Sequence, residues 1–413
     1  MAIGQIEIEG ATLVQKPKPT CREPALKKRG WKEVIPSGTS FAPLPEMTLT
    51  NGDRLSGGQL GYETFGNFSA MGDNAILIFT GMSGNAHVTS TARNQKSGWW
   101  EEIVGRGRPI DTSDWFVICV NSLGGCNGST GPASVNPANG KIYGPDFPRI
   151  SIEDTADAGV HLLRHLGISE LACLIGVSMG GMTSLAFLQR HPKIAKTHIN
   201  ISGAVEASAY AISMRSLQRE IVRADPDWLD GRYQRDSQPH QSMNLARKLG
   251  VLTYRSAQEL QERFGRNRAS HDGMSALACE AREFEVESYV AHQAEGFAHN
   301  FDANSFLMLS SAMDRYSLTE SAQMPPASAL KSVGLASALV LGSSTDILFP
   351  PAQQNELAEI FNSAGTRTAY QNLISMKGHD AFLASNSQFA QPIATFCQDL
   401  ADSLNQPKIK SYS

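Results

Sequence analysis

The sequence predicts an α/β fold, with a mainly parallel central sheet flanked by helices and a helical insertion. Three observations carry this. Short apolar runs recur at residues 74–79, 115–120, 171–175, 197–201 and 337–342. They lack the in–out alternation of a sheet with one wet face, so they read as strands buried on both faces. Helical periodicity lies between several of them, as at residues 152–166, where Asp154, Asp157 and Arg164 fall on the solvent side. Finally, from Gly203 to about Pro325 the chain turns helical, polar and Arg-rich, with no buried strand. Strands alternating with helices wind into a doubly wound sheet, and the third stretch interrupts it.

Along the chain, residues 1–40 are polar and broken by proline, as at Lys16-Pro17-Lys18-Pro19, and read as a poorly ordered extension. Residues 41–203 and 326–405 carry the strand–helix core. A structureless loop spanning 204–325 does not fit a compact domain. That segment is therefore read as a helical cap, or lid, inserted after a central strand and covering the functional face, rather than as a separate helical domain.

Composition narrows the function classes. The 413 residues are enough to bury a large core, and 41% apolar with 18% charged residues is ordinary for a globular chain. A net charge of -4 gives no general attraction to nucleic acid or anionic membrane, and no apolar run approaches the roughly 18 residues of a membrane span. The N-terminus has acidic residues where a signal peptide needs a basic end and an apolar run, so a cytoplasmic location is expected. The six cysteines are scattered, and Cys119 and Cys173 sit inside apolar runs, which suits reduced thiols. No group of His, Cys, Asp or Glu shows metal-ligand spacing, so neither a metal nor a permanently bound cofactor is expected.

The chemistry concentrates where the run at 171–175 ends in Gly176-Val177-Ser178-Met179-Gly180 and a helical rhythm begins. A strand, a turn too tight for side chains at either glycine, and a helix hold Ser178 exposed in a strained pose. This is the nucleophile elbow of the α/β-hydrolase fold. That fold orders its triad Ser, Asp, His along the chain. Asp346 follows the strand at 337–342, and His379 follows the run at 370–375, each in a loop. His379 takes the Ser178 proton, and Asp346 fixes its tautomer. The oxyanion needs two backbone N–H groups. One belongs to Met179, the other to Met82 in the loop Thr80-Gly81-Met82-Ser83-Gly84. A second Gly-rich segment, residues 121–131, lacks the ending of a P-loop and the spacing of a dinucleotide site. It reads as a wall of the cleft.

These motifs together resemble the homoserine O-acetyltransferase family of α/β-hydrolase-fold acyltransferases. The matching pieces are Asn-Ser-Leu-Gly-Gly-Cys-Asn-Gly-Ser-Thr-Gly-Pro-Ala-Ser at residues 121–134, with residues 143–148, 178–182, 252–255, 263–265, 285–289, 345–350 and 378–383. Residues 80–83, 200–203 and 215–220 look closest to the serine O-succinyltransferase branch, whereas Val177 stands where Asn or Gly is expected. The resemblance implies a ping-pong reaction in cysteine or methionine synthesis. Ser178 takes an acyl group from acyl-CoA, a co-substrate (succinyl-CoA or acetyl-CoA), and passes it to the hydroxyl of L-serine or L-homoserine with His379 as base. It also implies that Arg247 binds the acceptor carboxylate and Asp380 its amino group, and it suggests a homodimer joined through the cap helices. An arginine such as Arg215 would clamp the free carboxylate of a succinyl group, which acetyl lacks. Which acyl group and which acceptor are used stays open. Two other readings remain: a carboxylic ester hydrolase on the same scaffold, with water as acceptor, and a non-catalytic binding protein.

Overall fold

The computed structural model of the protein describes residues 31–269 and 283–405. Among these residues, eight strands form one sheet: β1 (Ser40–Pro43), β2 (Gln59–Phe65), β3 (Ala75–Phe79), β4 (Phe116–Val120), β5 (Leu171–Val177), β6 (Ala195–Ile201), β7 (Ser337–Ser343) and β8 (Arg367–Leu373). Their spatial order is β1-β2-β4-β3-β5-β6-β7-β8. The first two strands run antiparallel to their neighbours, and the other six are mutually parallel. All five apolar runs expected to be strands are strands. The run placed at 370–375 forms slightly earlier, and β1 and β2 add an edge that the sequence pattern did not single out.

The uninterrupted apolarity of β3 has a simple cause. Ala75, Leu77 and Phe79 face one buried layer while Ile76 and Ile78 face the other. The first layer holds α1 (Ile152–His165) and α2 (Met179–Arg190), with Leu162, Met182 and Leu185 packed against the sheet. The second is closed by Phe389, Ile393 and Cys397 of the C-terminal helix, with Trp100 and Ile103 beside them.

Helix α1 begins where Ser151 caps it. The Ser151 hydroxyl accepts from Asp154 N–H, and the Asp154 carboxylate accepts from Ser151 N–H. Asp154 was expected on the wet side but is buried. Its carboxylate also takes the N–H and hydroxyl of Thr50, tying the helix start to a turn far earlier in the chain. Helical periodicity marks which side of a helix is apolar, and a capping carboxylate is exempt from that rule.

Between β6 and β7 the described residues form helices and contribute no strand to the sheet: α3 (Ala209–Arg223), α4 (His240–Tyr254), α5 (Ala257–Phe264), α6 (Glu285–Asn300), α7 (Ala303–Arg315), α8 (Leu318–Ala322) and α9 (Pro326–Lys331). The stretch expected to be poorly ordered is partly placed. Trp31 is buried beneath the Arg235 guanidinium, its N–H donates to Arg235 O, and Lys32 N–H donates to His299 O. Residues 31–33 thus lie against the helical segment, anchored by an aromatic ring, while Ser37 and Thr39 bond to Arg93 O and Glu63 beside the sheet. Residues 1–30, with Cys21, and the segment holding Cys279 lie outside the described residues.

Candidate active site

Six parallel strands place their carboxyl ends along one edge, and the loops that leave this edge converge. Ser178 follows β5, Asp346 follows β7, His379 follows β8, and residues 80–84 follow β3. Ser178 has φ 57° and ψ −120°, a left-handed conformation that costs a side-chain-bearing residue about 1–3 kcal/mol. The turn is held by Ser178 N–H donating to Ile201 O at 2.9 Å and Gly181 N–H donating to Ser178 O at 2.8 Å. Both glycines of the motif are dictated by contact. A Cβ on Gly180 would lie 2.0 Å from Phe79 O, and one on Gly176 would lie 2.3 Å from Ser184 Oγ. The strained serine therefore sits between two backbones packed too closely for any side chain.

The three predicted catalytic residues meet. Ser178 Oγ lies 2.8 Å from His379 Nε2, and His379 Nδ1 lies 2.7 Å from Asp346 Oδ2. All three are buried; Ser178, expected in an exposed pose, is instead reached only as part of the cavity wall. Asp346 Oδ1 accepts the N–H groups of Leu348 and Phe349, both at 2.9 Å, so its second oxygen is fixed toward the imidazole. An ionised carboxylate only accepts, so Nδ1 carries the proton and Nε2 offers its lone pair to the serine hydroxyl. The ring is held by Phe349 stacked at 5.2 Å and Phe382 edge-on at 5.7 Å.

Burial works to lower the His379 pKa, but the Asp346 charge and hydrogen bond outweigh it, and the imidazole ends above its ordinary 6.5. Proton acceptance needs the neutral ring. The kcat/KM for the acyl donor is therefore expected to rise with pH to a midpoint above 6.5. Stability runs the other way. The contribution of a raised pKa is complete below the unfolded value and disappears as pH climbs through the folded one. A pH profile of the acylation step checks this, and a midpoint below 6.5 would contradict it.

The loop after β3 lies against the nucleophile, with the Cβ position of Gly81 3.5 Å from Ser178 Cβ. Gly84 N–H donates to Gly81 O, closing a turn, and among the described residues the N–H of Met82 has no backbone partner. Met179 opens α2, where a helix has no internal acceptor for its first N–H groups. Both backbones flank Ser178 and suit the oxyanion role expected of them. The Gly-rich segment 121–131 behaves otherwise than expected, because none of its residues lines the cleft. It braces from behind: Asn121 N–H donates to Gly61 O, the Ser129 hydroxyl accepts from Gly61 N–H, and Asn127 Nδ2 reaches Gly84 O. Its glycines answer backbone crowding, as where a Cβ on Gly131 would meet Gly125 O at 2.2 Å.

Ser178 and His379 open into a cavity of about 350 Å³, walled in part by α3, α4, α6 and α7. Three side chains singled out from sequence line it: Arg215, Arg247 and Asp380. Arg215 donates from Nε to Asp314 at 2.5 Å, and Arg219 donates to the other oxygen of the same carboxylate. Among the described residues the buried Nη2 of Arg215 has no partner. Arg247 lies over the rings of Phe297 (4.4 Å) and Tyr254 (4.9 Å), and its buried Nε likewise has no partner among the described residues. Tyr254 in turn packs against His379, 5.6 Å between ring centres. Asp380 pairs with Arg255 Nε at 3.2 Å. Burial pushes the Asp380 carboxyl above its ordinary value against the pull of Arg255, His379 and Arg247.

Sequence reasoning missed the group behind Asp380. Buried Glu259 on α5 accepts from Lys377 Nζ at 2.8 Å and faces Arg255, and the Ser256 hydroxyl donates to Met376 O. The loop that carries His379 is thus tied to the helical segment by charge. Arg255 lies in a motif already noted, but nothing along the chain brings Glu259 to Lys377. Other histidines are accounted for by packing. His198 is buried in the core with its pKa lowered to about 4 by desolvation, and His87 pairs with buried Glu63 at 2.9 Å.

A serine held in a strained elbow, a histidine poised to take its proton and a buried carboxylate behind that histidine define enzymes that work through a covalent acyl-serine. The chain belongs to the α/β hydrolase fold family, whose sequence profile matches residues 74–385. It is 48% identical over 368 residues to an L-serine/homoserine O-acetyltransferase from Streptomyces lavendulae, covering 88% of this chain and 98% of that one. It is also 48% identical over 378 residues to a serine O-succinyltransferase from Xanthomonas campestris pv. campestris, covering 89% and 99%. Among solved structures, homoserine O-acetyltransferase from Bacillus anthracis aligns with a TM-score of 0.78 at 25% identity, covering 87% of this chain and 96% of that one. Esterase E22 aligns with a TM-score of 0.78 at 25% identity, covering 87% and 99%.

Proposed function

We propose that the protein is an acyl-CoA-dependent O-acyltransferase that moves a succinyl or acetyl group to the hydroxyl of L-serine or L-homoserine. One observation carries the reading: a single cavity holds the Ser178–His379 pair together with Arg247 and Asp380, a cation and an anion within reach of one small zwitterion. The names of the relatives support the same class of reaction.

In the first half-reaction Ser178 Oγ attacks the thioester carbonyl and its proton passes to His379 Nε2. The oxyanion is received by the N–H groups of Met82 and Met179. The carbon–sulfur bond breaks and CoA leaves as the thiol with the proton from His379. In the second, the acceptor hydroxyl gives its proton to His379 and attacks the ester, and Ser178 recovers a proton as it leaves. Arg247 takes the acceptor carboxylate, where a guanidinium offers paired donors, and Asp380 takes the ammonium alongside Arg255. The unpartnered Nη2 of Arg215 supports a donor with its own terminal carboxylate, which favours succinyl over acetyl.

Acyl-CoA is in this reading a co-substrate rather than a bound cofactor. A pairing of two copies through α3 and α4 belongs to it, supported by exposed Tyr210, Ile212, Leu217, Leu245 and Leu252. So does action in the cytoplasm, which suits the buried free thiols of Cys119, Cys126, Cys173 and Cys397. No described helix is long and apolar enough to cross a membrane.

Crossing acetyl-CoA and succinyl-CoA with serine, homoserine and no acceptor, while following thiol release, tests the proposal. Release at the full rate without any acceptor would favour the ester hydrolase. A held hydroxyl reaches effective molarities of about 10⁵ M or more, far above the roughly 55 M of water, so transfer depends on the acceptor being gripped. Arg247→Ala is accordingly expected to abolish transfer and spare hydrolysis of the acyl-enzyme. Equal loss of both, read from the two product channels, would remove Arg247 from its role.

A further inference from the structure

No metal is expected from the sequence, yet Glu295 and His299 stand at i and i+4, and folding brings His240 to them as a third donor. His240 opens α4, while Glu295 and His299 lie one helical turn apart near the end of α6. The start of one helix meets the end of the other, so the two run antiparallel and one face of each is shared. We propose that His240, Glu295 and His299 bind a divalent cation of the zinc class.

The argument is geometric. His299 Nε2 lies 3.0 Å from Glu295 Oε1, and His240 Nε2 lies 3.8 Å from the same oxygen. All three donor atoms fall within 4.8 Å of one another. Zinc bonds of about 2.0–2.2 Å to nitrogen and oxygen in a tetrahedron separate neighbouring donors by roughly 3.3–3.6 Å. These two separations straddle that value and the third lies within 4.8 Å, so small side-chain rotations complete a coordination face without moving the helices. Two ligands at i and i+4 on one helix, with the third from a neighbour, are a recurrent way to present imidazole and carboxylate to such an ion.

The carboxylate is also oriented. Asn244, one turn after His240 on α4, donates from Nδ2 to Glu295 Oε2 at 2.8 Å. One oxygen is therefore occupied and the other faces both imidazoles, the kind of supporting contact that fixes a ligand before the ion arrives. The two rings lie 4.4 Å apart between centres, close enough for one ion to serve both. Two imidazoles and one carboxylate suit zinc, cobalt or nickel better than magnesium or calcium, which prefer oxygen. The three side chains are only partly buried, so an ion has a route in from solvent.

The position gives the ion a mechanical consequence. Helix α4 carries Arg247 two turns beyond His240, and α6 carries Gln293 two residues before Glu295. Both line the catalytic cavity. His299 O also accepts from Lys32 N–H, so the docked residues 31–33 pass the same corner. A bound ion braces the helix pair that walls the acceptor side, and since none of its three ligands lines the catalytic cavity it takes no part in the chemistry.

The test uses full-length untagged protein treated with chelator and then titrated with zinc chloride against a chromophoric chelator. One equivalent is expected to bind in the micromolar range or tighter, with a raised melting temperature. His240→Ala, His299→Ala and Glu295→Gln should each weaken binding by at least about tenfold, and Asn244→Ala by less. Cobalt chloride provides a readout that needs no variant, since a Co(II) ion held in such a tetrahedral arrangement gives visible d–d bands about tenfold stronger than the hydrated ion. Failure of the unaltered protein to bind one equivalent of zinc or to give those bands overturns the proposal. So does undiminished binding in the folded His240→Ala/His299→Ala double variant.

Discussion

Ser178→Ala is expected to lower acyl transfer by about 10⁶-fold while leaving the fold intact. The serine side chain makes one contact of consequence, the 2.8 Å approach to His379 Nε2. The elbow itself is held by backbone hydrogen bonds from Ser178 N–H and to Ser178 O, which alanine retains. Without Oγ no ester forms, and what remains is direct attack by the acceptor or water beside an intact oxyanion site. Intact-protein mass spectrometry checks the cause as well as the size of the loss. The parent, mixed with donor and no acceptor, should gain the mass of one acyl group, and the variant should gain none. A variant that turned over within tenfold of the parent would remove the covalent intermediate from the mechanism.

Asp346→Asn is expected to cost about 10⁴-fold in kcat with little loss of folded protein. Asparagine keeps an oxygen for the N–H groups of Leu348 and Phe349, so the loop after β7 retains its two 2.9 Å bonds. The remaining group is then an amide NH₂, a donor facing His379 Nδ1. That nitrogen must become the acceptor, which moves the ring proton to Nε2, the atom that should be taking the proton of Ser178. Loss of the negative charge also removes the main influence holding the imidazole pKa up, so burial lowers it. The pH midpoint of the surviving activity should therefore fall below that of the parent. An Asp346→Asn enzyme with unchanged midpoint and near-parental kcat would show that the carboxylate neither sets the tautomer nor steadies the imidazolium.

The strands were legible because burial on both faces of a parallel sheet writes continuous apolar runs, and β3, β4, β5, β6 and β7 all answer to one. Strand β2 was not, since Glu63 and Thr64 interrupt its pattern. Glu63 is buried yet paired with His87, a contact 24 residues distant that local pattern does not carry. Asp154 misled for a similar reason, because its partner Thr50 lies 104 residues away. Segment 121–131 is unusual in sequence, yet it lies behind the cleft and not in its wall. A glycine required where two backbones cross looks the same in sequence as one that approaches a substrate.

Ser178, Asp346 and His379 could be named from sequence because each is tied to a local event, a strand ending and its loop beginning, and parallel strands all end on the same edge. Local grammar of that kind survives in one dimension. What folding alone decided are the pairings across the chain: Glu259 with Lys377, Arg215 sharing Asp314 with Arg219, and His240 meeting Glu295 and His299. Those depend on how the helices outside the sheet lie against one another and against the loop after β8. Helical packing is set by the shapes of many side chains at once, and no single spacing records it.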